Sequence, residues 1–117
     1  MNKIYLLVIT FLLIGCSAKS PEIQFESLLD SEWLKIIEDN PVYASSMGDL
    51  SRNTEWSDTS VENVYLEHQH DLDILNQLEE LDVSNFSEDN KVNYSLFKKQ
   101  YENSIEGHEY KTYLIPF

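Results

Sequence analysis

Four times along the chain a hydroxyl or amide side chain stands just ahead of a run whose apolar residues recur every three or four positions. That recurrence is the signature of half-buried helices and leaves little room for strands. Ser20 precedes Pro21 and a stripe of Phe25, Leu28, Leu29, Trp33, Ile36 and Ile37. The serine can cap the helix, and the proline suits its first position, where a missing N–H costs nothing. Asn40-Pro41 ends this helix, because proline pushes its predecessor out of helical geometry. A short second helix then carries Val42, Tyr43, Ala44 and Met47 and stops at Gly48. After a polar loop from Asp49 to Asp58, which holds Trp56, Thr59-Ser60-Val61-Glu62 reads as a capping box. The third helix shows Val61, Val64, Tyr65, Leu72, Leu75 and Leu78 on one stripe and runs to about Leu81. Ser87 caps a fourth, Glu88 and Asp89 suit the positive end of its dipole, and Val92, Leu96, Phe97, Tyr101 and Ile105 face inward as far as Gly107.

The expected fold is therefore all-α, with antiparallel helices, three long and one short, and an extended C-terminal segment. The extension is inferred from Tyr110, Thr112 and Leu114 alternating with Lys111, Tyr113 and Ile115. Pro116-Phe117 follows with no polar tail, which suggests that the helices are an incomplete part of a larger helical domain and that Phe117 is a cut through it. At 117 residues there is room for one domain at most, since a domain takes roughly 100 to 200. With 42% hydrophobic residues the chain has the composition to fold.

Charge narrows the partners. Eight basic residues against 21 acidic ones give a formal net charge of −13, which nucleic-acid phosphates and anionic lipid surfaces repel. No nucleic-acid partner is expected, and the acidity reads as solubility rather than as recognition of a basic molecule.

At the N-terminus Lys3 precedes an apolar run from Ile4 to Ile14, then Gly15 and the only cysteine, Cys16. A bilayer-spanning helix needs about 20 apolar residues, so the run suits a secretory signal instead. Leu13-Ile14-Gly15-Cys16 resembles the lipobox of bacterial lipoproteins. The resemblance implies a signal peptide over residues 1–15, cleavage between Gly15 and Cys16, and acylation of Cys16 as the new N-terminus. A short lipidated linker, 16–21, would then lead into the helical segment, 22–117. Ser17 is not the aspartate that retains such lipoproteins at the inner membrane, so the resemblance implies an outer-membrane anchor facing the periplasm. Several acyl chains would hold firmly where one holds only marginally. With a single cysteine, no internal disulfide can form.

The chemically richest stretch is Glu67 to Asp73, with His68, His70, Asp71 and Asp73. Within a helix, residues two apart point about 200° from each other, so His68 and His70 cannot share an ion. Nor is the His-Glu-x-x-His spacing of a helical zinc site present. The stretch is expected to be a solvated face with ordinary histidines. The segment Asp89-Asn90-Lys91-Val92-Asn93 starts like a calcium loop, but Lys91 stands at a ligand position and the turn glycine is missing. There is no Gly-x-Ser-x-Gly turn and no glycine-rich phosphate cradle. No catalytic or metal-binding residue is assigned, and the aromatics, Phe25 to Phe97, are expected in the core.

The order of these stretches resembles bacterial domain-of-unknown-function family 885. The opening match runs through Phe25, Leu28, Leu29, Trp33, Asn40, Pro41, Ala44, Gly48 and Asp49, and a later one through Asn93, Tyr94, Leu96 and Phe97. The closing Glu109 to Phe117 is similar to the strand-like segment that follows in the family. The resemblance implies the N-terminal portion of a longer helical zinc-peptidase-like domain, often borne on a lipoprotein. Its zinc ligands, a His-Glu pair and paired histidines, lie downstream of anything matched here. None of His68, His70 or His108 corresponds to a family ligand. No cofactor is therefore expected in this chain itself, and the rest of the peptidase domain could be a partner in trans. The alternative is a complete small acidic lipoprotein that serves as an interaction or scaffold module.

Overall fold

The computed structural model describes residues 19–115. The expected signal peptide, the expected cleavage site at Gly15 and Cys16, most of the expected linker and the Pro116-Phe117 end lie outside the described residues. The fold is all-helical: α1 (Pro21–Asp39), α2 (Pro41–Ser46), α3 (Val61–Glu79) and α4 (Glu88–Glu109), followed by a 3₁₀ turn, Thr112–Leu114. No helix among the described residues is long and apolar enough to cross a membrane.

Each long helix starts where a serine oxygen meets a free backbone donor. Ser20, Ser60 and Ser87 accept from the amides of Ile23, Asn63 and Asn90 at 3.3, 3.2 and 3.3 Å. The expected capping box is displaced by one residue. Ser60 is the cap, so Glu62 falls one position short of reaching back, and Asp58 Oδ1 takes the Ser60 amide instead at 2.8 Å. Asn40 closes α1, its amide nitrogen donating to the Ile36 carbonyl, and Pro41 opens α2. The left-handed φ of +99° at Gly48 ends that short helix, as expected.

Two features of the C-terminal stretch depart from the sequence reading. Gly107 does not close α4, which continues to Glu109, and the left-handed residue is Lys111, with φ 54°. The reversal there folds the chain back as a 3₁₀ turn where an extended segment was expected. Thr112 donates its hydroxyl to the Gly107 carbonyl at 3.0 Å, and a Cβ on Gly107 would stand 3.1 Å from the Thr112 Oγ1. Gly107 thus serves a close approach rather than a turn, and a side chain there would require Thr112 to shift by a few tenths of an ångström.

α3 and α4 form an antiparallel hairpin, and α1 lies along it, antiparallel to α3 and parallel to α4. The core gathers Phe25, Ile74, Leu78, Phe86 and Tyr101, with Leu28, Leu29, Leu75, Tyr94 and Phe97 packed around them. Phe25, fully buried, is its hub: its ring centroid lies 5.6 Å from Phe86, 5.7 Å from Tyr94 and 6.1 Å from Phe97. Such aromatic contacts add to the stabilisation from burial itself. The starts of α1 and α4 are fastened together by Glu22, whose Oε1 accepts from the Ser87 amide, the Ser87 hydroxyl and Asn90 Nδ2 at 2.9, 2.7 and 2.7 Å. The Ser87 amide and hydroxyl, with Asn90, hold its carboxyl below the usual range.

The outer members of the expected stripes are not core. Trp33, Val61, Tyr65, Leu72, Val92 and Leu96 are all exposed, as is Trp56 in the loop. Three helices can cover only the faces turned toward one another, and a stripe wider than that face keeps its margins in solvent.

Candidate functional site

Moving along the helices away from Phe25, the positions that face the bundle interior change from apolar to polar on all three. On α1 the series Phe25, Leu28, Leu29 continues into Glu32 and Lys35. On α3, Leu78, Leu75 and Ile74 give way to Asp71, His68 and Glu67. On α4, Phe97 is followed by Tyr101, Ser104 and His108. These are the same helical faces, since the steps are three or four residues. Between them opens a cleft of about 720 Å³.

Glu32 is its most buried charged group, only 5% exposed. A carboxylate so far from water needs hydrogen bonds to be tolerated. Its Oε2 accepts from the Tyr101 hydroxyl at 2.7 Å and lies 2.8 Å from His70 Nε2. An ionised carboxylate only accepts, so His70 must carry its proton on Nε2 to make this bond. Burial first, then the bond to Glu32, pushes the Tyr101 phenol well above its ordinary range. One carboxylate thus joins the three long helices.

Lys35 lies between Asp39 of its own helix and Glu67 of α3, the latter at 3.0 Å. Beside the cleft α3 and α4 meet in two rungs. His68 and His108 stack face to face, centroids 3.8 Å apart and 8° from parallel, and Tyr113 of the 3₁₀ turn lies 5.3 Å beyond His108. One turn along, the Ser104 hydroxyl donates to Asp71 Oδ2 at 2.6 Å. Asp71 is half-buried, and burial raises its carboxyl above the usual range despite that bond. His68 Nδ1 is buried without a hydrogen-bond partner, the one such side-chain atom among the described residues.

The stretch from Glu67 to Asp73 is therefore not the solvated face the sequence suggested. His70 turns toward α1 and His68 toward α4, the divergence expected of residues two apart in a helix, but both directions lead to a neighbouring helix rather than to solvent. Gln69 and Asp73 do behave as anticipated: both are exposed, and Asp73 accepts from Gln77 on its own helix. Among the described residues no three His, Cys, Asp or Glu side chains are placed to hold a metal ion. Sequence reasoning missed Glu32, Tyr101 and His108 as members of this site. The available signal was the polar residues at core-facing positions in the far half of each helix.

No family model matches the chain, and neither a curated protein nor a solved structure matches it significantly.

Proposed function

We propose that the chain is a lipid-anchored protein of the cell envelope whose helices correspond to the opening portion of a family-885-like domain, a helical zinc-peptidase-like architecture. The observation that carries the anchor is Leu13-Ile14-Gly15-Cys16, a lipobox-like sequence placed after a charged start and an apolar run, four residues ahead of the Ser20 cap. Cys16 would carry the acyl chains, and export to the outer membrane follows from Ser17 rather than aspartate after it. The family relation is supported by the order of the matched stretches. Phe25, Leu28, Leu29, Ala44, Tyr94 and Phe97, all matched positions, lie in or against the packed interior. On this reading the chemistry belongs to ligands that follow these helices in the family, and this stretch contributes their scaffold.

Two measurements test it. Cys16→Ser should abolish incorporation of labelled fatty acid, and label that persists removes the anchor. The purified protein should neither bind stoichiometric zinc nor cleave peptides, and either activity would end the scaffold reading.

A second reading, a self-standing interaction module, is favoured by the core cluster that already joins all three long helices. The two diverge on unfolding. A single cooperative melt of a monodisperse species favours the module, whereas a broad transition with aggregation favours helices shaped to pack on a further body, since exposed apolar stripes associate.

A further inference from the structure

We propose that the far half of α1, with α2 and the loop as far as Ser57, is a gate that swings against the α3–α4 hairpin and widens the cleft without unfolding the bundle. α1 is fixed to the hairpin in two different ways. Its first half is held by burial: Phe25 packs on Phe86, Tyr94 and Phe97, and Leu28 and Leu29 lie against the same cluster. Beyond Leu29 no α1 side chain belongs to that cluster. Among the described residues, the side-chain bonds from there to the hairpin are those of Glu32 to His70 and Tyr101 and of Lys35 to Glu67. Trp33 has Tyr43 of α2 as its aromatic partner, ring centroids 6.3 Å apart, so that contact moves with the gate.

The chain also divides at the other end of this unit. Arg52 donates to the Glu38 carbonyl, and the Ser57 hydroxyl donates to Asn40 Oδ1 at 3.4 Å, which ties the loop to α1. The next residue belongs with α3: Asp58 Oδ1 accepts from the Ser60 amide at 2.8 Å, and its carbonyl accepts from Asn63 Nδ2 at 2.9 Å. The Ser57-Asp58 linkage is therefore a joint, and its shortness limits the swing. The cleft lies across this parting, with Lys35, Ile36 and Asn40 on the gate and Glu67, Asp71 and Ser104 on the hairpin. The three polar bonds largely offset the desolvation of their members, whereas the first half of α1 gains from apolar burial. Opening the gate thus costs far less than unfolding the bundle, which is the condition for a local transition. The device stands independently of the family relation.

The test is backbone amide NMR relaxation dispersion on the full chain in detergent, which reads the microsecond-to-millisecond range of hinged motions. Amides from Ser31 to Asp39 and from Val42 to Ser46 should exchange at one shared rate, and those from Phe25 to Leu29 should not. Lys35→Met should raise the minor population about two- to fivefold, the scale of one part-exposed ion pair. Lys98→Met is the matched control, because Lys98 and Glu79 also lie 3.0 Å apart and part-exposed but join α3 to α4. It should leave the gate unchanged. High salt should raise the minor population of the parent and have little effect on Lys35→Met. Glu32→Ala should raise it as well, with the Phe25 to Leu29 amides still quiet, which separates gate opening from misfolding. Absence of dispersion, one rate shared by both halves of α1, or an equal response to Lys35→Met and Lys98→Met overturns the proposal.

Discussion

The two halves of this bundle are built from the same three helices and the same inward faces, yet they solve different problems. Around Phe25 the facing residues are Leu28, Leu78, Phe86, Tyr94 and Phe97, and they exclude water. Around Glu32 they are histidines, carboxylates and hydroxyls, and they leave a cleft. The first half gains from burial, which is non-directional and grows with area. The second depends on paired groups with fixed geometry, where each bond mostly offsets the desolvation of its members. Stability is therefore expected to reside in the first half and selectivity in the second.

That division can be broken most directly at Phe25. Phe25→Ala should cost about 3–5 kcal/mol, the range for an aromatic removed from a packed core, measured by denaturant unfolding. Glu32→Ala should cost less, about 1–3 kcal/mol, by stranding the Tyr101 hydroxyl and the His70 N–H, and Glu32→Gln, which retains an acceptor, less again. If Glu32→Ala matches Phe25→Ala, the polar half carries the fold and the comparison fails. Ser87→Ala should lose about 1 kcal/mol as a helix cap, with the Glu22 contact weakened in addition.

The smallest effect is sharpest in its pH dependence. Folding raises the Tyr101 phenol above its unfolded range, so the folded state holds that proton more tightly. The stabilisation is fully present below about pH 10, the unfolded value, and is lost as pH rises beyond it. Tyr101→Phe should be slightly less stable at neutral pH but should lose less stability above pH 10, as followed by circular dichroism.

The helix boundaries were legible in the sequence because they obey local rules. The three serine caps, the Asn40-Pro41 break and the turn at Gly48 each follow from the chemistry of one or two residues. The contacts of the polar half were less legible because their partners are far apart in the chain. His68 meets His108 and Glu32 meets Tyr101 only through tertiary packing, and a reading confined to one helix correctly separated His68 from His70 but then sent both to solvent. The exposed margins at Trp33, Val61 and Leu96 were misjudged for a related reason. Periodicity locates a stripe, but the number of neighbouring helices decides how much of it is covered. The turn at Thr112 to Leu114 hinges on a left-handed lysine, a conformation that sequence gives little reason to expect.

The Glu22 clasp also bears on how such a domain would stand. It gathers the first turns of α1 and α4, with Glu22, Glu88 and Asp89, at the end nearest the proposed tether at Cys16. Anionic headgroups repel carboxylates within about a Debye length, so this acidic base would keep the helices from lying flat along the lipid. Held upright, α1 acts as a mast. At 1.5 Å per residue Glu32 rides about 16 Å, and Asp39 about 27 Å, above its foot. On such a tether the polar half of the bundle would stand clear of the lipid surface, with the apolar half at its foot.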